Sequence, residues 1–137
     1  MKILTFKNIL FFSLLTLFTI SCTTTEPVEE INDQLDGKWE AISFKTDDNV
    51  ERITGDITRN SILFQKDSIH TGLMSIDIVT TLVTLEGWSG PYTLSNEGSR
   101  LTFGDKEFNV SIDSDDILNL DLIDADQPFD IRAQKVD

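Results

Sequence analysis

The chain has 137 residues, enough for one domain with a modest core. It carries 11 Lys and Arg against 24 Asp and Glu, a net charge of −13. A surface of that sign repels nucleic-acid phosphates and anionic lipid head groups, which excludes nucleic-acid binding and leaves solubility as the ordinary meaning of the charge.

Residues 1–21 read as an export signal. Lys2 and Lys7 make a basic start, and Ile9 to Ile20, "ILFFSLLTLFTI", places nine apolar residues in twelve. That run is too short to span a bilayer comfortably and has the length of a signal-peptide core. Ser21-Cys22 follows, a small residue before the chain's one cysteine at the end of the apolar run. This junction resembles the lipobox of bacterial lipoproteins. The resemblance implies cleavage before Cys22, lipid on its sulfur and acylation, palmitate included, of its new amino group; several chains anchor stably where one holds marginally. Removing residues 1–21 leaves 9 basic against 24 acidic groups, −15. Thr23 rather than aspartate after the cysteine implies, by the same resemblance, transfer to the outer membrane of a Gram-negative envelope. Residues 22–32 are then the lipidated cysteine and a polar tether, with "TTTEPVEE" at 23–30 nearly free of apolar side chains.

The folded domain is expected over residues 33–137. "EEINDQLD" at 29–36 predicts one or two helical turns with Ile31 and Leu35 on one face and Gly37 as the stop. Beyond it strand signals take over. Lys38–Thr46 alternates around Ile42 and Phe44, and Ser61–Lys66 around Ile62 and Phe64. Gly72–Leu85 reads as the longest run, with Met74, Ile76, Ile78 and Leu82 in one phase and Val79 and Val83 in the other, the pattern of a central or bent strand. A turn is expected at "EGWSGP", then strands at Tyr92–Ser95 and Arg100–Phe103. Lys106–Ile112 alternates strictly, Asp116–Ile123 repeats the pattern with Leu118, Leu120 and Leu122, and Phe129–Val136 has Phe129, Ile131 and Ala133 in phase. The connections "SNEGS", "GD", "DSD" and "DADQP" are short turn clusters that join antiparallel neighbours. The one long irregular stretch is Asp47–Asn60. About eight such strands hide their edges by rolling up, so the expected fold is all-β: a small antiparallel up-and-down barrel.

"LDGKWEAISFK" brings a resemblance with it. Gly37-Lys38-Trp39, after a short helical lead-in, resembles the Gly-x-Trp opening of lipocalins, and the chain looks like the lipocalin-like domains carried by Gram-negative envelope lipoproteins. The likeness covers roughly residues 33–136, including the hairpin "YTLSNEGSRLTF". It implies that Gly37 lets the chain turn tightly into the first strand and that Trp39 plugs the closed end. It further implies that an arginine of the last strand, Arg132 here, stacks on that ring. Parity complicates the first strand: with Trp39 inward, Ile42 and Phe44 face out unless a bulge shifts the phase. Either a bulge intervenes or the tryptophan is not the plug.

Catalytic signatures are sparse. His70 stands alone in "SIHTG", with no spacing that suggests a nucleophile or an orienting acid, and an ordinary turn histidine is the expectation. Phosphate-binding glycine loops and Cys/His metal spacings are absent, and no cofactor is expected. Asp113, Asp115 and Asp116 form one acidic cluster; Asp121, Asp124, Asp126 and Asp130 form another. "DADQPFD" lacks the sharp-turn glycine and closing glutamate of a calcium loop, so turn chemistry is expected over calcium. Trp88 and Tyr92 flank the expected turn at a barrel rim, where packing is commoner than ligand contact. The chain is thus expected to be a non-enzymatic, lipid-anchored barrel. One role is a cup for a small apolar ligand, lined by Met74, Ile76 and Ile78 with Trp88 and Tyr92 near its mouth. The other is a barrel filled by its own side chains that serves as an interaction or structural module.

Overall fold

The structure, a computed structural model, describes residues 26–47, 49–53, 60–81, 84–123, 126 and 128–137. The signal sequence, Cys22 and the start of the tether lie outside them, as do Leu82, Val83 and Asp124.

The described chain begins with one helix, α1 (Pro27–Leu35). Proline in its first turn costs no hydrogen bond, because the N–H groups there have no partner in the helix, and Glu29 and Glu30 face the positive end of the helix dipole. Val28, Asn32 and Leu35 form its buried stripe. At the other end the Asp36 N–H donates to the Asn32 carbonyl (3.2 Å), and Gly37, at φ +120°, takes the chain into the first strand.

Nine strands follow: β1 (Gly37–Thr46), β2 (Val50–Arg52), β3 (Asn60–Lys66), β4 (Thr71–Val79), β5 (Thr84–Leu94), β6 (Arg100–Phe103), β7 (Lys106–Ile112), β8 (Ile117–Leu122) and β9 (Phe129–Val136). Each of β3 to β8 pairs antiparallel with its successor, β3 pairs with β1, and β9 returns to β1 from Lys38↔Val136 to Thr46↔Phe129. That last ladder closes an eight-stranded up-and-down barrel, and the expected fold class stands. The ninth strand, β2, is extra: β1 gives the Gly37–Glu40 part of one edge to β3 and the Ser43–Lys45 part to β2.

Three local expectations are corrected. Gly72–Leu85 is not one strand but nearly all of β4 and the start of β5, two antiparallel neighbours in which Ile78 pairs with Leu85 and Val79 with Thr84. Val79, in the other phase, is the last residue of β4, and Val83 lies outside the described residues. "EGWSGP" is not a turn but the middle of β5, with a register shift opposite Ile76–Ile78. Pro91 is tolerated there because β6 meets β5 only over Tyr92–Leu94, leaving the proline beyond the end of that ladder. The Asp47–Asn60 stretch contains β2.

The interior is continuous. Every barrel strand contributes inward residues at most 9% exposed, from Trp39 and Ile62 near α1 to Phe44, Phe108 and Phe129 at the far end. Phe129 lies 5.0 Å from Phe44 and 6.3 Å from Phe108 between ring centroids, so the far end is closed by aromatic packing.

Candidate functional site

Met74, Ile76 and Ile78 point inward as their parity requires, and each is at most 1% exposed. Exposure that low leaves no ligand-sized void against these side chains, because the walls of such a cavity would be accessible to solvent-sized probes. They pack into one cluster with the inward residues of the other strands. Four grooves formed by described residues run over the outside and ends of the barrel, and those three side chains line none of these four.

At the α1 end the parity question of β1 resolves as a bulge. The β1–β9 register shifts between Ala41 and Ser43, so Trp39, Ala41 and Phe44 all face the core while Ile42 lies between. Trp39 is 1% exposed, and its indole N–H donates to the Leu35 carbonyl at 2.8 Å, tying the helix end to the barrel. The cation over its ring is not Arg132 but Lys135, whose Nζ stands 5.5 Å from the ring centroid and donates to the Gln34 carbonyl at 2.8 Å. Parity explains the correction. Phe129, Ile131 and Ala133 face inward, Lys135 continues that series directly opposite Trp39, and Arg132 belongs to the outward one. Arg132 reaches Asp113 at 3.6 Å on the outer surface.

Tyr92 and Trp88 do not share a mouth. Tyr92 is buried at the α1 end, edge-on to Phe64 with centroids 5.5 Å apart, and its hydroxyl donates to Asn32 Oδ1 at 2.6 Å. Asn32 is fully buried and donates through Nδ2 to the carbonyls of Ser68 and Ile69 at 2.8 and 3.1 Å. Three bonds therefore lock helix, β5 and the β3–β4 turn together. Burial, with smaller contributions from Asp36 and Asp67, pushes the Tyr92 hydroxyl up to about 12, so it remains a donor at any physiological pH. The ring needs Gly72: a Cβ there would sit 2.4 Å from the Gln65 carbonyl and 2.6 Å from the Tyr92 oxygen. Trp88, half-buried, instead lines a groove with Gly90, Phe103 and the Gly104–Asp105 turn, and Lys106 Nζ lies 5.1 Å from its ring centroid.

The first acidic cluster is turn chemistry. Asp113 Oδ1 accepts the N–H groups of Asp115 and Ile117 at 2.9 and 3.1 Å, and Asp116 takes φ +58° to complete the turn. The Ile117 N–H above all, helped by the Asp115 N–H, the charge of Arg132 and Asn119, holds the Asp113 carboxyl below the usual carboxylate range against the opposing effect of burial. Among the described residues no group of three or more His, Cys, Asp or Glu is placed to hold a metal. Asp124 lies outside the described residues. His70 sits in the β3–β4 turn, where its carbonyl accepts the Leu94 N–H at 2.7 Å.

Asp121 and Asp130 are direct cross-strand partners on the outer face of β8 and β9. Burial, then the facing Asp121 carboxyl, with a smaller push from Asp47, raises the Asp130 carboxyl above its usual range despite Lys45 at 3.9 Å. Asp121 also accepts from Asn109 Nδ2 at 3.1 Å. Asp121 falls between the inward Leu120 and Leu122 of β8, and Asp130 between the inward Phe129 and Ile131 of β9, which puts both carboxyls outside.

No family model matches the chain, and no curated protein does. Among solved structures, a redesigned β-barrel is similar to it, with a TM-score of 0.52 at 15% identity, covering 78% of this chain and 96% of that one. At that identity the likeness establishes the barrel architecture alone.

Proposed function

We propose that the chain is an envelope lipoprotein, held on the outer membrane through lipid on Cys22, whose barrel works without catalysis as an interaction or structural module. The observation that carries this reading over an internal carrier is the packing of Met74, Ile76 and Ile78 at 1% exposure or less. An eight-stranded barrel has an interior that side chains can just fill, and an apolar ligand inside this one would have to displace them. The anchor is supported by the basic start, short apolar run and Ser21-Cys22 junction, and the net charge of −13 supports a partner other than nucleic acid.

The full chain carrying Cys22→Ser tests both halves. It is expected in the soluble fraction, while the parent chain sediments with membranes, and it is expected to show no saturable uptake of a fluorescent fatty acid. Unchanged sedimentation removes the anchor; stoichiometric uptake restores the internal carrier.

A further inference from the structure

The bulge in β1 and the extra strand β2 create a groove of about 490 Å³ on the outer wall, over the outward faces of β1, β9 and β8. Its lining has an order that the strand registers make explicit. One row runs Asn119, Arg132, Ser43, Arg52 across β8, β9, β1 and β2; the next runs Asp121, Asp130, Lys45, Val50 across the same strands. Neighbouring strands lie about 4.8 Å apart, so Arg132 and Arg52 are the cross-strand neighbours of Ser43 on either side, and the rows are separated by about 6.7 Å along the strands.

Charge is unevenly distributed in this groove, with Lys45 beside the carboxylate pair. Two of the chain's four arginines share one row, although acidic groups outnumber basic ones by more than two to one overall. Two carboxylates stand opposite each other in the next row, an arrangement that costs a sheet stability. The internal counterions are loose: Arg132 meets Asp113 at 3.6 Å and Lys45 meets Asp130 at 3.9 Å, with the arginine and lysine side chains about half exposed. Val50, 67% exposed, puts an apolar side chain at the end of the acidic row. Paired guanidinium groups suit a planar carboxylate or a phosphate, and adjacent carboxylates suit a primary ammonium.

We propose that this groove binds a small zwitterion, its phosphate or carboxylate held between Arg52 and Arg132 beside Ser43 and its ammonium group held by the Asp121–Asp130 pair. The site is on the wall of the barrel, so it goes beyond the module reading and does not depend on the anchor.

Phosphoethanolamine is the probe, titrated into the full chain in non-ionic detergent while backbone amide shifts are followed. Saturable shifts confined to β1, β2, β8 and β9 are expected, with inorganic phosphate alone and ethylammonium alone each binding at least about tenfold more weakly. Arg132→Gln and Asp130→Asn, both surface changes that leave the spectrum of the fold intact, are each expected to weaken binding by about tenfold or more. Vesicles of phosphatidylethanolamine, compared with the soluble probe, tell a lipid head group from a free metabolite as the source of the same chemistry. Binding to vesicles or to the soluble probe with these mutational losses supports the site. No saturable shift in either arm, phosphate binding as tightly as the zwitterion, or unchanged affinity in both variants overturns it.

Discussion

Tyr92 shows how much a single side chain holds in this fold. Its ring packs against Phe64 over the bare backbone of Gly72, and its hydroxyl satisfies a fully buried asparagine on the helix. Tyr92→Phe keeps the ring and orphans Asn32 Oδ1, a loss expected to cost about 1–3 kcal/mol in urea unfolding; an unchanged midpoint would mean that the helix is not fastened there. Asp130 makes the opposite prediction. Its carboxyl holds a proton to higher pH in the folded chain than in the unfolded one, because burial and the Asp121 carboxyl disfavour its charge. The penalty is therefore absent below the ordinary carboxylate range, grows as pH rises through the raised folded-state pKa and is complete above it. Asp130→Asn is expected to stabilise the protein at neutral pH by a few tenths to about 1 kcal/mol, with the gain vanishing as pH falls to the ordinary carboxylate range. Paired thermal melts across that window check the sign.

Among the elements, β9 separates what a period-two pattern conveys from what a resemblance conveys. The alternation of Phe129, Ile131 and Ala133 marks the inward phase and extends to Lys135, so the cation over Trp39 was legible in the sequence without any structure. The resemblance pointed to an arginine, and the lone one in β9 lies in the wrong phase. Lys135→Met is expected to cost about 1 kcal/mol through its ring contact and its bond to the Gln34 carbonyl. Arg132→Gln, whose exposed partner is 3.6 Å away, is expected to stay within about 0.5 kcal/mol of the parent in the same unfolding assay. The strands after Arg100 were legible nearly to the residue, because each alternates cleanly between short turn clusters. The β4–β5 hairpin was not, because its turn carries no glycine or proline: Val79 through Thr84 reads "VTTLVT", all β-formers. Asn32 was missed for a related reason. A polar residue on the buried stripe of a short helix stands out only once Val28 is counted as part of that helix.

For the whole molecule the decisive fact is a barrel of short strands closed on itself, with aromatic rings packed at both ends and aliphatic side chains between. Such a cylinder keeps its chemistry outside: on the wall groove, at its rims and, on the proposed reading, at the lipid of Cys22. The outcome follows from size, since eight strands enclose little more than their own inward side chains. The most direct measurement of that claim is urea unfolding of the full chain bearing Met74→Ala and, separately, Ile76→Ala. If the interior is filled, each truncation opens a cavity where none existed and costs about 2–5 kcal/mol. A loss below about 1 kcal/mol for both, as expected of side chains lining a lumen that is already empty, would contradict the account.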